Sequence, residues 1–409
     1  MTTKSLHRMR LASLLASLVP LGVASKAAAQ AVPDCSTLTN PVYVTGSSAV
    51  KPFLGAVASE LAGLAGADQI NVVYISKGSC DGVTALATET TLITGTASVW
   101  GADGKEVAGG CNLPTAGVVI DIGVSDVFAS SCGVATLPSG VKDFLGPVQS
   151  MTFAVPLKST QGAISAEAAY LTFGLGADGE TPWSDPTKYF IRTASSGTQQ
   201  MLAAAIKVPA AKWAAPTANQ LSGSGAVRDA LNMIQSTGTQ ADADLAIGIL
   251  ATDVVDKNRT TLRALPYQHF GQTCGYLPDS TATSFDKQNT RDGHYMVWGP
   301  LHMLTRTTAG VPKNVNAKKV IDYLTGAVVP AFDLIALEAT TGVVPDCAMR
   351  VSRDSEVGPL SSYMPPHSCE CKFVAAATNK TPAGCTPCTT SATCPTTHPA
   401  CNYGFCEVR

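Results

Sequence analysis

Val42-Tyr43-Val44-Thr45-Gly46-Ser47-Ser48-Ala49-Val50-Lys51-Pro52-Phe53 decides how this chain folds. Two β-branched residues and an aromatic one open it as a short strand. A glycine and hydroxyl residues then turn the chain. From Val50 the apolar positions fall at Phe53, Leu54, Val57, Leu61 and Leu64, the spacing of one buried helix face. Pro52 sits in the first helical turn, where a missing N–H costs little. A strand that runs through a Gly/Ser loop into a helix is one half of an α/β unit.

Working outward, the unit recurs. Ile70 to Ile75 reads as a strand ending in Gly78-Ser79-Cys80-Asp81-Gly82, with a helix beginning near Gly82. Val118 to Val124 is a third strand, closed by Ser125-Asp126. Met151 to Leu157 is an apolar strand after a long Gly- and Ser-containing stretch, and Ile164 to Phe173 is helical with Ser165 as its cap. Tyr189 to Arg192 is a short strand running into Ala194-Ser195-Ser196-Gly197-Thr198 and a helix that buries Met201, Leu202, Ala205 and Ile206. Leu245 to Leu250 and Tyr295 to Leu304 are further buried strands, and Val315 to Leu324 and 331–337 are helical. No repeat of fixed period is present. Strand–loop–helix units in series imply an α/β architecture.

The first 29 residues read as an export signal: cations at Lys4, Arg8 and Arg10, an apolar run from Leu11 to Val23, and the small residues Ala27-Ala28-Ala29. The rival reading is a retained N-terminal anchor, but the run is short for a membrane span. Cys35 follows the wrong residues for a lipoprotein acceptor. With Lys4, Arg8, Arg10 and Lys26 removed from 28 cations, 24 basic residues face 30 acidic ones, a net charge of −6. A nucleic-acid binder would carry a basic face, and polybasic adhesion to a membrane needs the same sign. The remaining length exceeds one ordinary core, so two domains are expected.

Thirteen cysteines divide unevenly: Cys35, Cys80, Cys111, Cys132, Cys274 and Cys347 are spread over the body, and seven lie from Cys369 onward. Behind an export signal, disulfides are the favoured state, and an odd total leaves one thiol over. Cys80 has Cys111 or Cys132 as its foremost partners. Cys369-x-Cys371 and Cys385-x-x-Cys388 with His367 and His398 could bind zinc, but disulfides are preferred there too. From Pro365 apolar periodicity fades, and the tail reads as a small stapled appendage. His269, His294 and His302 lack metal-ligand spacing. Ser222-Gly223-Ser224-Gly225 has the wrong spacing for a nucleophile elbow and reads as a flexible loop.

Three strand ends share one chemistry: Thr45-Gly46-Ser47-Ser48-Ala49, Gly78-Ser79-Cys80-Asp81-Gly82 and Ser195-Ser196-Gly197-Thr198. Each offers hydroxyls and free N–H groups at the positive end of a helix, and glycine lets an anion approach closely. With Gly123-Val124-Ser125-Asp126, Arg192 and Ala246-Ile247-Gly248, these motifs make the chain resemble the phosphate-binding proteins of bacterial ABC importers, a type II periplasmic binding fold, over about residues 41–337. The resemblance implies two α/β lobes joined by two hinge crossover strands, with a Cys-rich C-terminal tail. It places lobe one at 32–149 and 305–365, lobe two at 150–304 and the tail at 366–409.

The resemblance implies a ligand site of Ser48, Ala49, Ser79, Asp126, Arg192, Ser196, Gly197 and Thr198. Asp126 would accept a hydrogen bond from a protonated phosphate oxygen, and Arg192 would face the anion. The implied protein is a monomeric, exported solute-binding protein in the periplasm or outside the cell. It captures phosphate or a similar oxyanion for an ABC permease, and is neither an enzyme nor a holder of a cofactor or metal. Two positions depart from the pattern: Ala49 replaces a hydroxyl residue, and Ala194 replaces an acid that tempers the arginine. The alternative is a non-transport surface or adhesion protein that reuses the fold.

Overall fold

The computed structural model describes residues 32–88, 92–179 and 181–408; the expected export signal lies outside them. From Pro33 onward the chain is one compact unit. The main elements, in chain order, are β1 (Pro41–Ser47), α1 (Lys51–Gly63), β2 (Asn71–Lys77), α2 (Ser79–Ala87), β3 (Ile122–Ser125), β4 (Val141–Pro156), α3 (Ala166–Leu175), β5 (Tyr189–Arg192), α4 (Gly197–Ile206), β6 (Gln220–Leu221), α5 (Ser224–Thr237), α6 (Gln240–Leu245), β7 (Ile247–Ala251), α7 (Thr252–Asp256), β8 (Leu262–Ala264), β9 (Trp298–Thr308), α8 (Val315–Leu324), α9 (Leu334–Thr341) and α10 (Glu370–Thr378). No helix among the described residues is long and apolar enough to cross a membrane.

One sheet runs through the molecule in the order β6-β5-β7-β4-β9-β3-β1-β2. Its two halves repeat one topology: the second strand, the first, the third, then a long antiparallel strand. In the first half β1 pairs parallel with β2 and β3, and β9 runs antiparallel to β3. In the second, β5 pairs parallel with β6 and β7, and β4 runs antiparallel to β7. The repeat is one of topology, without a fixed sequence period. β4 runs through both halves, and the chain leading into β9 crosses from Tyr295 and Val297 in the second half to Leu301 and Met303 in the first. β4 pairs with β9 from Val141 to Ser150, then with β7 from Met151 to Ala154 and with β8 from Ala154 to Pro156. This is the expected two-lobe fold with two crossover strands.

Each half has its own apolar core. Phe53, Tyr74, Met303 and Tyr323 pack together in the first, and Phe153, Phe173, Tyr189, Trp213 and Tyr267 in the second. Ala49 and Val127, from the first half, are buried in the second half's core.

Three sequence expectations need correction. β4 begins ten residues before the expected Met151, because Gly146 and Pro147 read as strand breakers. They fall where the β4–β9 register shifts opposite Leu301, a bulge that tolerates a residue without a ladder N–H. The strand expected over 118–124 is two: Val118–Val119 pairs with Leu92–Ile93, and Ile122–Ser125 enters the main sheet. Ser222-Gly223-Ser224-Gly225 is not a flexible loop. Gly223 caps the 14-residue helix α5, whose apolar face of Val227, Leu231 and Ile234 starts only after the Ser/Gly run that reads as a loop.

Six disulfides form: Cys35–Cys111, Cys80–Cys132, Cys347–Cys369, Cys371–Cys385, Cys388–Cys401 and Cys394–Cys406. Cys274 is the free thiol and is exposed. Of the two partners open to Cys80, the structure has Cys132. The tail is less of an appendage than its composition suggests. Helix α10 inserts Phe373 beside Val148, Trp298, Ile335 and Met349, and Cys347–Cys369 ties its start to the body.

Candidate functional site

In an α/β sheet the C-terminal strand ends face a common crevice, and here five of them do so. The ends of β1, β2 and β3 supply Ser47 to Ala49, Ser79 and Asp126, and those of β5 and β7 supply Arg192 to Thr198 and Thr252 to Asp253. Free helix starts follow β1, β2 and β5, so donor groups cluster where the two halves meet.

Asp126 lies at the centre and is 2% exposed. Its Oδ2 accepts hydrogen bonds from the Ser47 hydroxyl and, at 3.1 Å, from the Ser79 hydroxyl. The Asp126 N–H donates to Ser79 Oγ at 3.2 Å. Its Oδ1 is buried, with no donor among the described residues. Burial pushes this carboxyl above the ordinary aspartate range, against the pull of the Ser47 and Ser79 hydrogen bonds and the charge of Arg192. The hydroxyl of Ser48 is likewise buried without a partner among the described residues.

The start of α4 presses directly on this group. A Cβ on Gly197 would lie 2.2 Å from Ser79 Oγ and 2.7 Å from Asp126 Oδ2. Ser196 is the N-cap of α4 and makes no side-chain capping bond. On the other side, a Cβ on Gly78 would lie 2.5 Å from the Ser195 carbonyl oxygen, and the Cys80 N–H donates to that oxygen at 3.0 Å. Two glycines thus permit backbone-to-backbone contact between the halves, where any side chain would hold them apart.

The structure brings Ser79, Asp126 and Gly197 together. It places the other expected residues less directly. The Ala49 N–H, the one donor left at that position, is already donated to Ser47 Oγ at 3.1 Å. The Thr198 hydroxyl turns to the Met151 sulfur at 3.4 Å. Arg192 is buried, and three of its five N–H donors are committed: Nε to the Leu221 carbonyl at 3.0 Å, one terminal nitrogen to Ser224 Oγ at 3.2 Å, the other to the Ser222 carbonyl at 2.9 Å. Burial pushes its pKa down to about 10, with Asp126 opposing, so it stays cationic at neutral pH.

Sequence reasoning missed what holds these groups. Ser222 and Ser224, dismissed as loop, anchor Arg192. Gln149 on β4 donates to the Ala49 carbonyl at 3.3 Å and to Asp253 Oδ1 at 3.2 Å, linking the halves behind the site. Burial raises the Asp253 pKa to about 7. His302 Nδ1 lies 2.6 Å from Asp143 Oδ2, and the residue pairs in register with Ser125, next to Asp126. Two other histidines serve local contacts: His269 meets Tyr267, and His294 meets Asp292.

No family model matches the chain, and no curated protein matches it. Solved structures overlap its path. A Clostridium perfringens chain assigned to the phosphate ABC transporter substrate-binding proteins, solved with bound phosphate, is 14% identical and covers 75% of this chain and 99% of its own, at a TM-score of 0.47. An ABC-type phosphate transport receptor from Vibrio cholerae is 15% identical, covering 74% and 99% at 0.45. A DING protein is 14% identical, covering 74% and 90% at 0.46. At this distance the likeness is one of chain path, and the chemistry rests on the side chains above.

Proposed function

We propose that the protein is an exported solute-binding protein that closes its two halves on a small protonated oxyanion, with phosphate the leading candidate. The observation that carries this is the free Oδ1 of Asp126. It is a buried acceptor set among donors: the hydroxyl of Ser48, the start of α4 at Ser196, Gly197 and Thr198, and the cationic Arg192. Such a site suits a ligand that accepts several hydrogen bonds and donates one. Hydrogen phosphate does both at neutral pH. Sulfate carries no proton, so it would leave two negative oxygens facing each other in a buried site.

Arg192 acts here as a fixed cation behind the site, its orientation set by Leu221, Ser222 and Ser224, with two N–H groups left for the ligand. Closure is the working step: the ligand touches both halves only when they meet, so binding shifts the population toward the closed form. Delivery to an ABC permease follows from such a role. A surface or adhesion protein that reuses the fold is favoured by one observation, the commitment of the Ala49 N–H and of three Arg192 donors inside the protein.

The test is a titration of Asp126→Asn beside the unmodified protein. An asparagine offers an N–H donor where the carboxylate accepted. Phosphate should lose at least about tenfold in affinity, while sulfate should gain. Unchanged phosphate and sulfate affinities would remove Asp126 from the site.

A further inference from the structure

A second cavity, of about 430 Å³, lies far along the chain from the residues above. It is enclosed by the end of α8, the turn that follows it, α9, the segments around Asp346 and Tyr363, and Tyr403 of the Cys-rich tail. Its volume falls in the range of small-molecule sites. Its chemistry is unusual in two ways.

The first is its acids. Asp333, Glu338 and Asp346 all line it, and no lysine or arginine does. Asp333 is matched by Lys372 at 2.5 Å, and Asp346 accepts the Tyr363 hydroxyl. Glu338 is different. It is 3% exposed, and no described residue donates a hydrogen bond or ion pair to its carboxylate. Burial and the charges of Asp346 and Asp333 push its carboxyl well above the usual range. A carboxyl buried without a partner ionises only at a cost, and a cation that reached it would relieve that cost. The second is its aromatic wall. Tyr323 and Phe332 pack edge to face at 6.2 Å, and Tyr363 and Tyr403 complete the lining. Rings beside a carboxylate hold alkylated cations well. A metal ion is the poorer fit. Among the described residues, the acids form no group of three ligand atoms close enough to hold one.

We propose that this cavity binds a small organic ammonium ion, its charged head on Glu338 and Asp346 and its alkyl groups against Tyr323, Phe332, Tyr363 and Tyr403. The tail then has a role: it supplies one wall through Tyr403, and the Cys347–Cys369 disulfide joins the tail to the lining segment at Asp346 and Cys347.

The test uses choline and its uncharged isostere 3,3-dimethyl-1-butanol, titrated calorimetrically into the full protein. Choline should bind, and the alcohol should bind at least about tenfold more weakly. Glu338→Gln should remove the difference between the two probes, and Tyr403→Leu should weaken choline about threefold. Saturating phosphate should leave choline binding unchanged, which separates this site from the cleft whatever the cleft binds. The proposal is overturned if the alcohol matches choline, if Glu338→Gln keeps the unmodified affinity for choline, or if choline gives no heat at about 10 mM. Should Glu338→Gln fail to fold, Tyr403→Leu with the same two probes decides: equal choline affinity in that half-exposed tail variant and the unmodified protein would sink the idea.

Discussion

At the scale of single residues, the site depends on groups small enough to be absent. Gly197 is the clearest case. The Cβ of an alanine would sit inside contact distance of Ser79 Oγ and Asp126 Oδ2, so the halves would have to separate to admit it. Overpacking of this kind costs roughly 1–3 kcal/mol. Gly197→Ala should therefore keep its melting temperature within a few degrees, because the open form tolerates it, yet lose about ten- to hundredfold in phosphate affinity; calorimetric titration with thermal melts checks both. Asp253 offers a pH signature. Its folded pKa of about 7 lies above the ordinary aspartate value. Between about pH 4 and pH 7 the folded chain keeps a proton that the unfolded chain has released, so this residue's contribution to stability falls as pH rises through that window. Asp253→Asn removes the titration. Relative to the unmodified protein, the variant should gain roughly 2–3 kcal/mol between pH 5 and pH 8, measured by urea unfolding at both. Ser79, Asp126 and Gly197 were legible in the sequence because each stands at a strand end in a short Gly/Ser motif. Gln149, Ser222 and Ser224 were not: a supporting residue is defined by what it touches across the fold, and adjacency in sequence carries no sign of it.

At the scale of elements, the donors are rigid because their helices are pinned at the start. Helix α2 carries Ser79 at its first position and Cys80 at its second, and Cys80–Cys132 ties that turn to the short helix at Ala129–Cys132, just beyond Asp126. The bond thus braces two ligand-facing groups against each other. It closes a loop of 52 residues, for which chain entropy gives roughly 4 kcal/mol. The double substitution Cys80→Ser with Cys132→Ser should lose stability of that order in denaturant melts. It should also weaken phosphate binding more than Cys35→Ser with Cys111→Ser, which frees no ligand loop. Equal effects on binding would mean that the brace does nothing for the site. Strands and helices with dense apolar spacing, such as Tyr189–Arg192 and Val315–Leu324, could be read to the residue. Those that failed had a reason: α5 opens on Ser222-Gly223-Ser224-Gly225, turn residues that here cap and start a helix, and β4 hides its first half behind Gly146 and Pro147, which are breakers except at a bulge.

At the scale of the whole molecule, two copies of one strand order are joined through β4 and β9, and the C-terminal strand ends of both copies meet at Asp126. The α/β class and the crossover strands were legible because strand–loop–helix units follow each other along the chain. The duplication was not, because it preserves topology and not spacing. The tail's docking was hidden as well: Phe373, the Cys347–Cys369 disulfide and the ion pairs of Glu370 with Arg291 and Arg350 and of Lys372 with Asp333 fix α10 to the body, and such contacts between distant residues make no periodic pattern. The account stands or falls on the free oxygen of Asp126 as an acceptor for a protonated oxyanion. Calorimetric titration of the protein at neutral pH, with phosphate and sulfate in separate runs, tests it most directly. The account predicts saturable heat with phosphate and at least about a hundredfold weaker response to sulfate. Equal affinity for the two, or no heat from phosphate at millimolar concentration, would contradict it.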